Sequence, residues 1–560
     1  MDGNCAKSGT RGLQVLAPVF LIAVGVCAYF NSFGCVFLFD DFRGIAENHS
    51  IRTLAGSVSN TSRPLVNLTF FINYMLGGLK VADYHTVNVT IHIMAGLFLF
   101  GILRRTMSLV GGKAGFTPAT ADIKSALPFE TSHVSATWLS ACAAAIWLVH
   151  PLQTESVTYI CQRAESMMGL FYLMTTYFFL RGTTSPTGNS WFCAAIFACS
   201  LGMLSKAVMV TAPIVILIYD VMFCAKSLRR AIEKRWRVHA RLMLTWIILF
   251  GLALIPNESS SSSGFDAITP SPLEYLAMQP GVILHYLKLA FLLSPSCFDY
   301  GWTIDMTWSR IFLPAVLVCG FLALTVVAAC RGRKLAFCGI WFFLVLAPTS
   351  SFIPVTDLAV EHRMYLPLAG LSAAFVIGSY CLIEHLRNRI GKHAAAGLPA
   401  YGFWIAMMAL IIALTTLTFS RNTVYSSGVV MWKDVVRKRP VNHRAYVCLA
   451  TALLDEKKYD ETAGVCAELF ARLDRFRNLP PDKIPGKVTG SGENMRLYMD
   501  ARYYALAHNC MGVSCVKRGM LTEAVEHFRE AARILPNFDN AQRNLAQAIA
   551  DSTQGKDAGK

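Results

Sequence analysis

Charged residues are scarce in this chain. They make up 15% of its 560 residues, while hydrophobic residues make up 54% and the mean hydropathy is +0.44. Soluble domains carry about 25% charged residues, so a soluble globular protein is excluded. The composition instead predicts a polytopic membrane protein whose hydrophobic residues are gathered in long runs.

The sequence also lacks the motifs of metal and nucleic-acid sites. Its 17 cysteines are odd in number and scattered, and many lie in apolar segments, where a thiol acts as a small hydrophobic group. There is no CxxC pair and no Cys/His metal pattern, so neither a disulfide framework nor a metal site is predicted, and no cofactor is expected. The net charge of +16 is concentrated between apolar runs, as in cytosolic loops, and no nucleic-acid partner is predicted.

Long apolar runs define the membrane part, predicted as residues 1–420. The first run, Leu13–Phe39, is longer than the apolar core of a signal peptide, about 7–15 residues, and we expect a retained span that starts in the cytosol. Leu65–Leu79 and Pro280–Leu293 are expected to lie along the membrane surface. Ten further runs bring the total to about eleven spans: Tyr84–Leu103, Val134–Val149, Glu165–Leu180, Trp191–Leu204, Val208–Cys224, Leu242–Ile255, Ile311–Ala329, Leu335–Ala347, Tyr365–Ile383 and Leu398–Phe419.

Basic residues give the expected orientation. With the N-terminus in the cytosol, the cytosolic loops hold about twice as many basic residues as the opposite side, in agreement with the positive-inside rule. This topology places Asp40, Asp41 and everything after Ser420 on the non-cytosolic side. Sequons on that side agree with a lumenal location: Asn48, Asn60, Asn67 and Asn257. We therefore predict a multi-pass protein of the endoplasmic reticulum membrane, with a bacterial inner membrane as the alternative.

From Arg421 the composition becomes that of a soluble domain, predicted as residues 421–560. Two stretches, Ala445–Glu461 and Asn509–Pro536, have the spacing of tetratricopeptide repeats, with small residues where the paired helices of such a unit touch. A third unit starts at Ala541. The sequence therefore predicts a C-terminal α-solenoid of about two units, behind an all-α membrane part.

Polar residues at span boundaries mark a candidate site. Asp40 and Asp41 directly follow the first span, where charges must face water or a partner because their burial in hydrocarbon is costly. Two neighbouring carboxylates also repel each other, which raises one pKa and gives a usable base. Five further clusters are predicted on the same side: His150 with Glu155, Arg163 with Glu165, Ser205 with Lys206, Asp299 with Tyr300, and Glu361 with His362 and Arg363.

The residue types in these clusters suggest one kind of chemistry. A boundary Arg often only reaches to the headgroups, but six clusters on one side favour a shared site. Carboxylates suit general-base work, while Arg forks and Lys ammonium groups hold phosphate. The set fits attack of a hydroxyl on a sugar carbon, with a lipid phosphate as the leaving group. The spacing alone does not specify this reaction.

A series of motifs runs through the membrane part in a fixed order: Phe39-Asp40-Asp41, Ser62-Arg63-Pro64-Leu65, Tyr84-His85, His150-Pro151, Arg163-Ala164-Glu165, Leu204-Ser205-Lys206 and Glu361-His362-Arg363-Met364-Tyr365. In this order they resemble the transmembrane and tetratricopeptide-repeat (TMTC) family of protein O-mannosyltransferases. The chain departs from the family in its short repeat array and in Ala207 after Lys206, where an acidic residue is expected.

The resemblance implies a GT-C fold and a dolichyl-phosphate-mannose-protein mannosyltransferase. Its donor would be dolichyl-phosphate mannose, and its acceptors would be Ser or Thr hydroxyls of lumenal proteins bound by the repeats, with inverting transfer. Asp40 or Asp41 would be the catalytic base. The residues expected to hold the lipid phosphate are Arg163, Lys206 and Arg363. Those expected to line the site are His150, Glu155, Glu165, Glu361 and His362.

Two alternatives stay open at this point. The first is a GT-C enzyme that uses another polyprenyl-phosphate sugar or a glycolipid acceptor. The second is a non-enzymatic, membrane-anchored repeat scaffold, which requires residues 421–560 to supply the activity alone. A transporter is disfavoured, because few charges lie in mid-span and the membrane part shows no internal duplication.

Overall fold

The protein is built from helices, as a computed structural model shows. The structure describes residues 2–59, 61–111, 133–255, 271–293, 295–390, 401–477, 479–480, 483 and 493–557. Within these ranges the regular secondary structure is helical, which confirms the predicted all-α polytopic class. The sequons at Asn60 and Asn257 lie outside the described residues.

The α-helices of the described chain are α1 (Asp2–Tyr29), α2 (Leu54–Val58), α3 (Pro64–Gly77), α4 (Val81–Gly111), α5 (His133–Leu148), α6 (Thr154–Val157), α7 (Arg163–Thr184), α8 (Gly188–Met203), α9 (Ala212–Tyr219), α10 (Leu228–Leu244), α11 (Trp246–Ala253), α12 (Pro272–Leu292), α13 (Trp308–Cys330), α14 (Ala336–Leu346), α15 (Pro367–Ile390), α16 (Gly402–Asn422), α17 (Gly428–Lys438), α18 (His443–Asp455), α19 (Tyr459–Arg472), α20 (Glu493–Lys517), α21 (Leu521–Ile534) and α22 (Asp539–Asp557). Short 3₁₀ and π turns join several of them.

Seven helical segments of the described chain are long and apolar enough to cross a membrane: Val15–Gly34, Val81–Val110, Ala207–Ala225, Leu228–Ala253, Trp308–Cys330, Pro367–Arg387 and Gly402–Ser426. An eighth is counted if Ser135–Leu148 and Pro151–Val157, bent by 54°, form one span. Within the described residues, each predicted span falls largely on helical segments, but α8 and α14 have only 16 and 11 residues. At about 1.5 Å per residue they are shorter than the ~30 Å hydrocarbon core, so fewer full-length spans form than the expected eleven.

Helix α7 is a predicted span with an unusual composition. It has 22 residues, with Arg163 and Glu165 in its first turn and Arg181 in its last, and it is not among the seven segments. The helix is packed inside the protein, and a Cβ on Gly169 would lie 2.3 Å from the ring of Tyr365. Glycine therefore lets α7 approach the chain near Tyr365 closely, and Glu165 at its start acts electrostatically on His362.

One apolar core joins the membrane helices to the start of the tail. It extends from Ala17 in α1 to Leu453 in α18 and includes Trp432 of α17. The tail then continues as the helix pairs α18–α19 and α20–α21, followed by α22. A Cβ on Gly512 would lie 2.6 Å from the ring of Phe528, so a small residue sits where α20 and α21 touch, as the repeat spacing predicts. The repeat assignment and the domain boundary at residue 420 stay predictions, and α16 runs across that boundary.

Candidate functional site

The acidic pair lies in a tight turn after the first span. Phe39 adopts a left-handed backbone conformation, with φ of +47°, which is costly for a bulky residue and is held only where the surroundings impose it. Here the Phe39 ring packs edge-on against the rings of Trp432 and Phe298, at 5.5 and 6.2 Å between centroids. Because of this turn, Asp40 and Asp41 point into different surroundings.

Asp41 is buried and fully engaged. Its side chain is 1% exposed, and its two carboxylate oxygens accept the backbone N–H groups of Leu38 at 3.0 Å and of Cys161 at 2.7 Å. Burial raises its pKa to about 7, because the charged form loses its hydration. Asp41 therefore ties the turn to the 160–162 segment, and its burial closes it to a substrate.

Asp40, in contrast, is exposed. Its backbone N–H donates to the Tyr159 hydroxyl at 3.0 Å, and its carbonyl accepts the Cys161 thiol at 3.2 Å. These contacts fix the main chain, and the Tyr159 hydroxyl also interacts with the carboxylate. The pKa of Asp40 lies above its ordinary value, mainly because the surrounding walls reduce its hydration and also because of the nearby Asp357 carboxylate. A carboxylate with a raised pKa and open access has the properties of a general base.

Two contacting pairs join residues from different predicted clusters. Lys206, in the loop after α8, contacts the Glu165 carboxylate at the start of α7. His362 places Nδ1 at 2.7 Å from one oxygen of Glu155 and donates its backbone N–H to the other at 3.0 Å. Burial lowers the pKa of His362, and Lys206 lowers it further, which shows that the two pairs are close enough to interact electrostatically.

Arg163, which was expected to hold the lipid phosphate, is buried and bound to its own chain. Its side chain is 0% exposed and four of its five N–H donors are used. They go to Asn88 Oδ1 at 2.6 Å, Asn73 Oδ1 at 2.7 Å, Thr69 Oγ1 at 3.2 Å and the Tyr84 carbonyl at 3.0 Å. The guanidinium therefore clamps α3 and α4 to α7, and this geometry does not offer it to a phosphate.

Arg363 is also bound to its own chain. Its guanidinium donates to the carbonyls of Asp357 at 2.6 Å and Leu358 at 3.0 Å, and to the Tyr275 hydroxyl at 3.2 Å. It therefore fixes the 357–358 segment rather than facing the open side of the site. His150 is likewise buried, with Nε2 at 3.1 Å from the Ala290 carbonyl of α12.

Glu361 connects the site to the tail. One of its carboxylate oxygens accepts the Cys297 N–H at 2.6 Å and the Tyr300 hydroxyl at 2.5 Å. Burial raises its pKa to about 7, although the nearby Arg421 guanidinium opposes this shift. Arg421, at the end of α16, pairs with Asp434 of α17 at 3.0 Å.

Three arginines near the site were not singled out as site residues. Arg63, Arg421 and Arg444 each interact electrostatically with residues of the predicted clusters. Arg63 precedes α3, is exposed, and acts on Lys206, His362 and Cys161. Because Arg63 lies inside the Ser62–Leu65 motif, the sequence could have identified it as a candidate site residue. Arg421 and Arg444 lie in or next to the tail, where a sequence motif gave no indication.

Comparisons with known proteins agree with the motifs. A family model described as dolichyl-phosphate-mannose-protein mannosyltransferase matches residues 132–255, the segment from α5 to α11. Protein O-mannosyl-transferase Tmtc3 of Drosophila melanogaster is 24% identical over 94% of this chain and 61% of its own length. TMTC3 of Homo sapiens is 21% identical over 94% of this chain and 58% of its own length. TMTC4 of Mus musculus is 24% identical over 79% of this chain and 64% of its own length.

These matches confirm the resemblance to the TMTC family, and the names of the relatives agree with the predicted enzyme class. The chain spans about three fifths of the length of the Tmtc3 and TMTC3 relatives. Among solved structures, the crystal structure of ArnT from Cupriavidus metallidurans bound to undecaprenyl phosphate is similar. It has 15% identity, covers 86% of this chain and 84% of ArnT, and gives a TM-score of 0.38, which is too low for a residue-by-residue comparison.

Proposed function

We propose that the chain is a protein O-mannosyltransferase that uses dolichyl-phosphate mannose and has Asp40 as its general base. In this reaction the hydroxyl oxygen of an acceptor Ser or Thr attacks C1 of the mannose. The bond from C1 to the phosphate oxygen breaks, dolichyl phosphate leaves with the electron pair, and the hydroxyl proton passes to the Asp40 carboxylate. Attack from the face opposite the phosphate inverts the configuration at C1.

The observation that carries this proposal is the difference between the two aspartates. Asp41 has both oxygens bound by backbone N–H groups, whereas the Asp40 residue is exposed. A general base must come within hydrogen-bond reach of the proton that it accepts. Only Asp40 of the pair satisfies this condition without breaking the turn.

Arg63 and Lys206 are the cations that we assign to the leaving phosphate. Among the described residues, the exposed Arg63 guanidinium makes no ion pair, and it acts electrostatically on both Lys206 and the Cys161 next to the acidic pair. An Arg fork matches two phosphate oxygens, and a Lys ammonium adds a point charge. Arg163 and Arg363 act instead by holding the segments that surround the site.

We assign the acidic pair and the tail to the lumenal side of the endoplasmic reticulum membrane. The contact of Phe39 with Trp432 supports one compartment for both. The tail is then beside the base, where a protein acceptor bound to its helices would present its hydroxyl group. This arrangement also favours an enzyme over a scaffold that acts through the tail alone.

The test is transfer of labelled mannose by the purified full chain. The donor is dolichyl-phosphate mannose, the acceptor is a Ser/Thr-rich peptide, and the variant is Asp40→Asn. We expect turnover to fall at least about 100-fold, the usual minimum for loss of a general base. Asp305→Asn is the matched control, because Asp305 is an exposed carboxylate that pairs with Arg310 away from the turn.

Three outcomes contradict parts of the proposal. Full activity of Asp40→Asn rules out the base assignment. Transfer of a different sugar from a panel of polyprenyl-phosphate donors, with none from the mannose donor, rules out the donor. Absence of transfer from every donor, with a folded protein and several acceptors, rules out the enzyme.

A further inference from the structure

The first tail helices form one wall beside the acidic pair. Lys438 at the end of α17 donates its ammonium to the Ser296 carbonyl at 2.7 Å, and Asn442 donates to the Asp299 carbonyl at 3.3 Å. Gly301 has φ of +55°, and a Cβ there would lie 2.5 Å from the Asn442 side chain. The tail is therefore seated directly on the 296–301 loop of the membrane part.

Arg444 of α18 makes the strongest contact across this interface. Its Nε donates to an Asp299 oxygen at 2.6 Å, and its Nη2 donates to an Asp357 oxygen at 2.8 Å. One guanidinium from the tail thus bridges two carboxylates from two separate loops of the membrane part. Asp299 is 6% exposed, and a buried carboxylate needs such a partner because an unpaired buried charge is costly.

Asp40 lies beside this interface, because the ring of the preceding Phe39 packs on Phe298 of the 296–301 loop and on Trp432 of α17. The titratable and charged groups around it are Arg43 and Asp41 from its own segment, Tyr159 and Cys161 from the segment before α7, Asp357 from its loop, and Arg444 and Cys448 from α18. The Tyr159 hydroxyl, then Arg444 and Arg43, favour the ionised form of Asp40, while burial and Asp357 disfavour it. Arg444 is the cation of this group that comes from the tail.

We propose that Arg444 is a positioning residue for the reaction, through which the tail holds the Asp299 and Asp357 loops together beside Asp40. The proposal rests on the function assigned to Asp40 above. It means that the tail is part of the catalytic apparatus as well as a surface for acceptors. If Arg444 is removed, Asp357 loses its counter-ion beside Asp40, and the base takes up a proton at a higher pH.

The test compares pH–rate profiles of mannosyl transfer for three variants of the full chain. In Arg444→Gln we expect the acid limb of the profile to shift to higher pH by about one unit, because Asp40 loses a nearby opposite charge. At a pH on the acid side of the limb, turnover then falls about tenfold, and it recovers at high pH. Arg444→Lys keeps the charge and restores the limb. Lys433→Gln breaks an exposed tail ion pair with Glu461 and gives the wild-type profile.

A second variant, expected to shift the acid limb in the opposite direction, tests the proposal if Arg444→Gln does not fold. Asp357 is half exposed and destabilises the Asp40 anion, so Asp357→Asn moves the acid limb to lower pH. Unchanged limbs in both Arg444→Gln and Asp357→Asn overturn the proposal. So does a uniform loss of activity of Arg444→Gln at every pH, which indicates a purely structural contact.

A second measurement separates this inference from the proposed function. Water-soluble carbodiimide modifies protonated carboxyl groups, and mass spectrometry of the Asp40 peptide as a function of pH reports its protonation without any turnover. The labelling midpoint of Asp40 should rise by about one pH unit in Arg444→Gln, and an unchanged midpoint contradicts the inference. If the wild-type chain transfers no sugar, the proposed function fails, and the labelling curves still decide whether Arg444 controls Asp40.

Discussion

Replacing Arg163 with Met tests whether this guanidinium supports the fold or binds the lipid phosphate. The side chain is buried, lies 4.5 Å above the ring of Phe70, and donates to Asn73, Asn88 and the Tyr84 carbonyl at 2.7, 2.6 and 3.0 Å. Met fills a similar length but donates nothing. The change therefore leaves these three acceptors, and the Thr69 hydroxyl as a fourth, without their partner in a largely buried region.

The magnitude follows from those acceptors. Each buried group that loses its hydrogen bond costs about 1–3 kcal/mol, and Asn88 and Asn73 are 0% and 5% exposed. Relief of the buried charge and local relaxation offset part of this cost, so we expect a net loss of about 3–4 kcal/mol in the free energy of unfolding. Such a loss is large enough to lower Tm clearly in a detergent-solubilised protein.

The assay is thermal unfolding followed by tryptophan fluorescence, with donor KM measured on the same samples. Arg181→Met is the matched control, because Arg181 lies in the same helix and stacks on Trp191 at 4.5 Å, a contact worth only about 0.5–2 kcal/mol. Arg63→Gln is the functional counterpart. It should keep the wild-type Tm and raise donor KM about tenfold or more, since a hydrogen bond to a charged group is worth about 1.5–3 kcal/mol.

One result refutes this reasoning. If Arg163→Met unfolds at the wild-type Tm and only raises donor KM, then Arg163 binds the phosphate as its motif suggests. The clamp of α3 and α4 on α7 would then be unimportant for stability. The same outcome combined with an unchanged KM in Arg63→Gln would transfer the phosphate role from Arg63 to Arg163.

Two further predictions concern the acidic pair and its location. Burial raises the folded-state pKa of Asp41 to about 7, above its unfolded value of about 4, so its contribution to the unfolding free energy is greatest at low pH and falls as pH rises from about 4 to 7. Asp41→Asn removes this dependence, and the Tm advantage of the wild-type chain over the variant should be larger at pH 5 than at pH 8; an equal difference contradicts it. Asn48 lies close to the turn in a sequon, so in the endoplasmic reticulum it should carry a glycan whose removal by peptide-N-glycosidase changes gel mobility, and Asn48→Gln should lose that change; an unglycosylated Asn48 contradicts a lumenal acidic pair.

The sequence was sufficient to predict the all-helical membrane fold, and it indicated that polar residues at the span ends would lie close together. Charges are costly in hydrocarbon, so the polar residues at span ends had to meet water or one another. The structure indeed brings Glu155 to His362 and Glu165 to Lys206. These pairs join residues that are 207 and 41 positions apart, which a boundary rule predicts as a group but not as pairs.

The roles of individual residues could not be predicted in the same way. Which aspartate of the pair is open depends on the left-handed turn at Phe39, and a non-glycine residue gives no local signal for that conformation. The structural role of Arg163 depends on its hydrogen bonds to Asn73 and Asn88, which form only when α3 and α4 pack on α7. A span-boundary arginine therefore looks the same in sequence whether it binds a ligand or the protein itself.

The contact between the tail and the acidic turn makes location a property of the whole molecule. Phe39 packs on Trp432, and Arg444 bridges Asp299 and Asp357, so these residues must share one aqueous compartment in any orientation of the chain. A single measurement of sidedness near the turn therefore assigns the tail, the loops and Asp40 together. If a protease added to the cytosolic face cleaved the tail while Asn48 carried a glycan, the packing of α17 and α18 on the turn would be impossible, and both Asp40 as an assisted base and Arg444 as its partner would have to be abandoned.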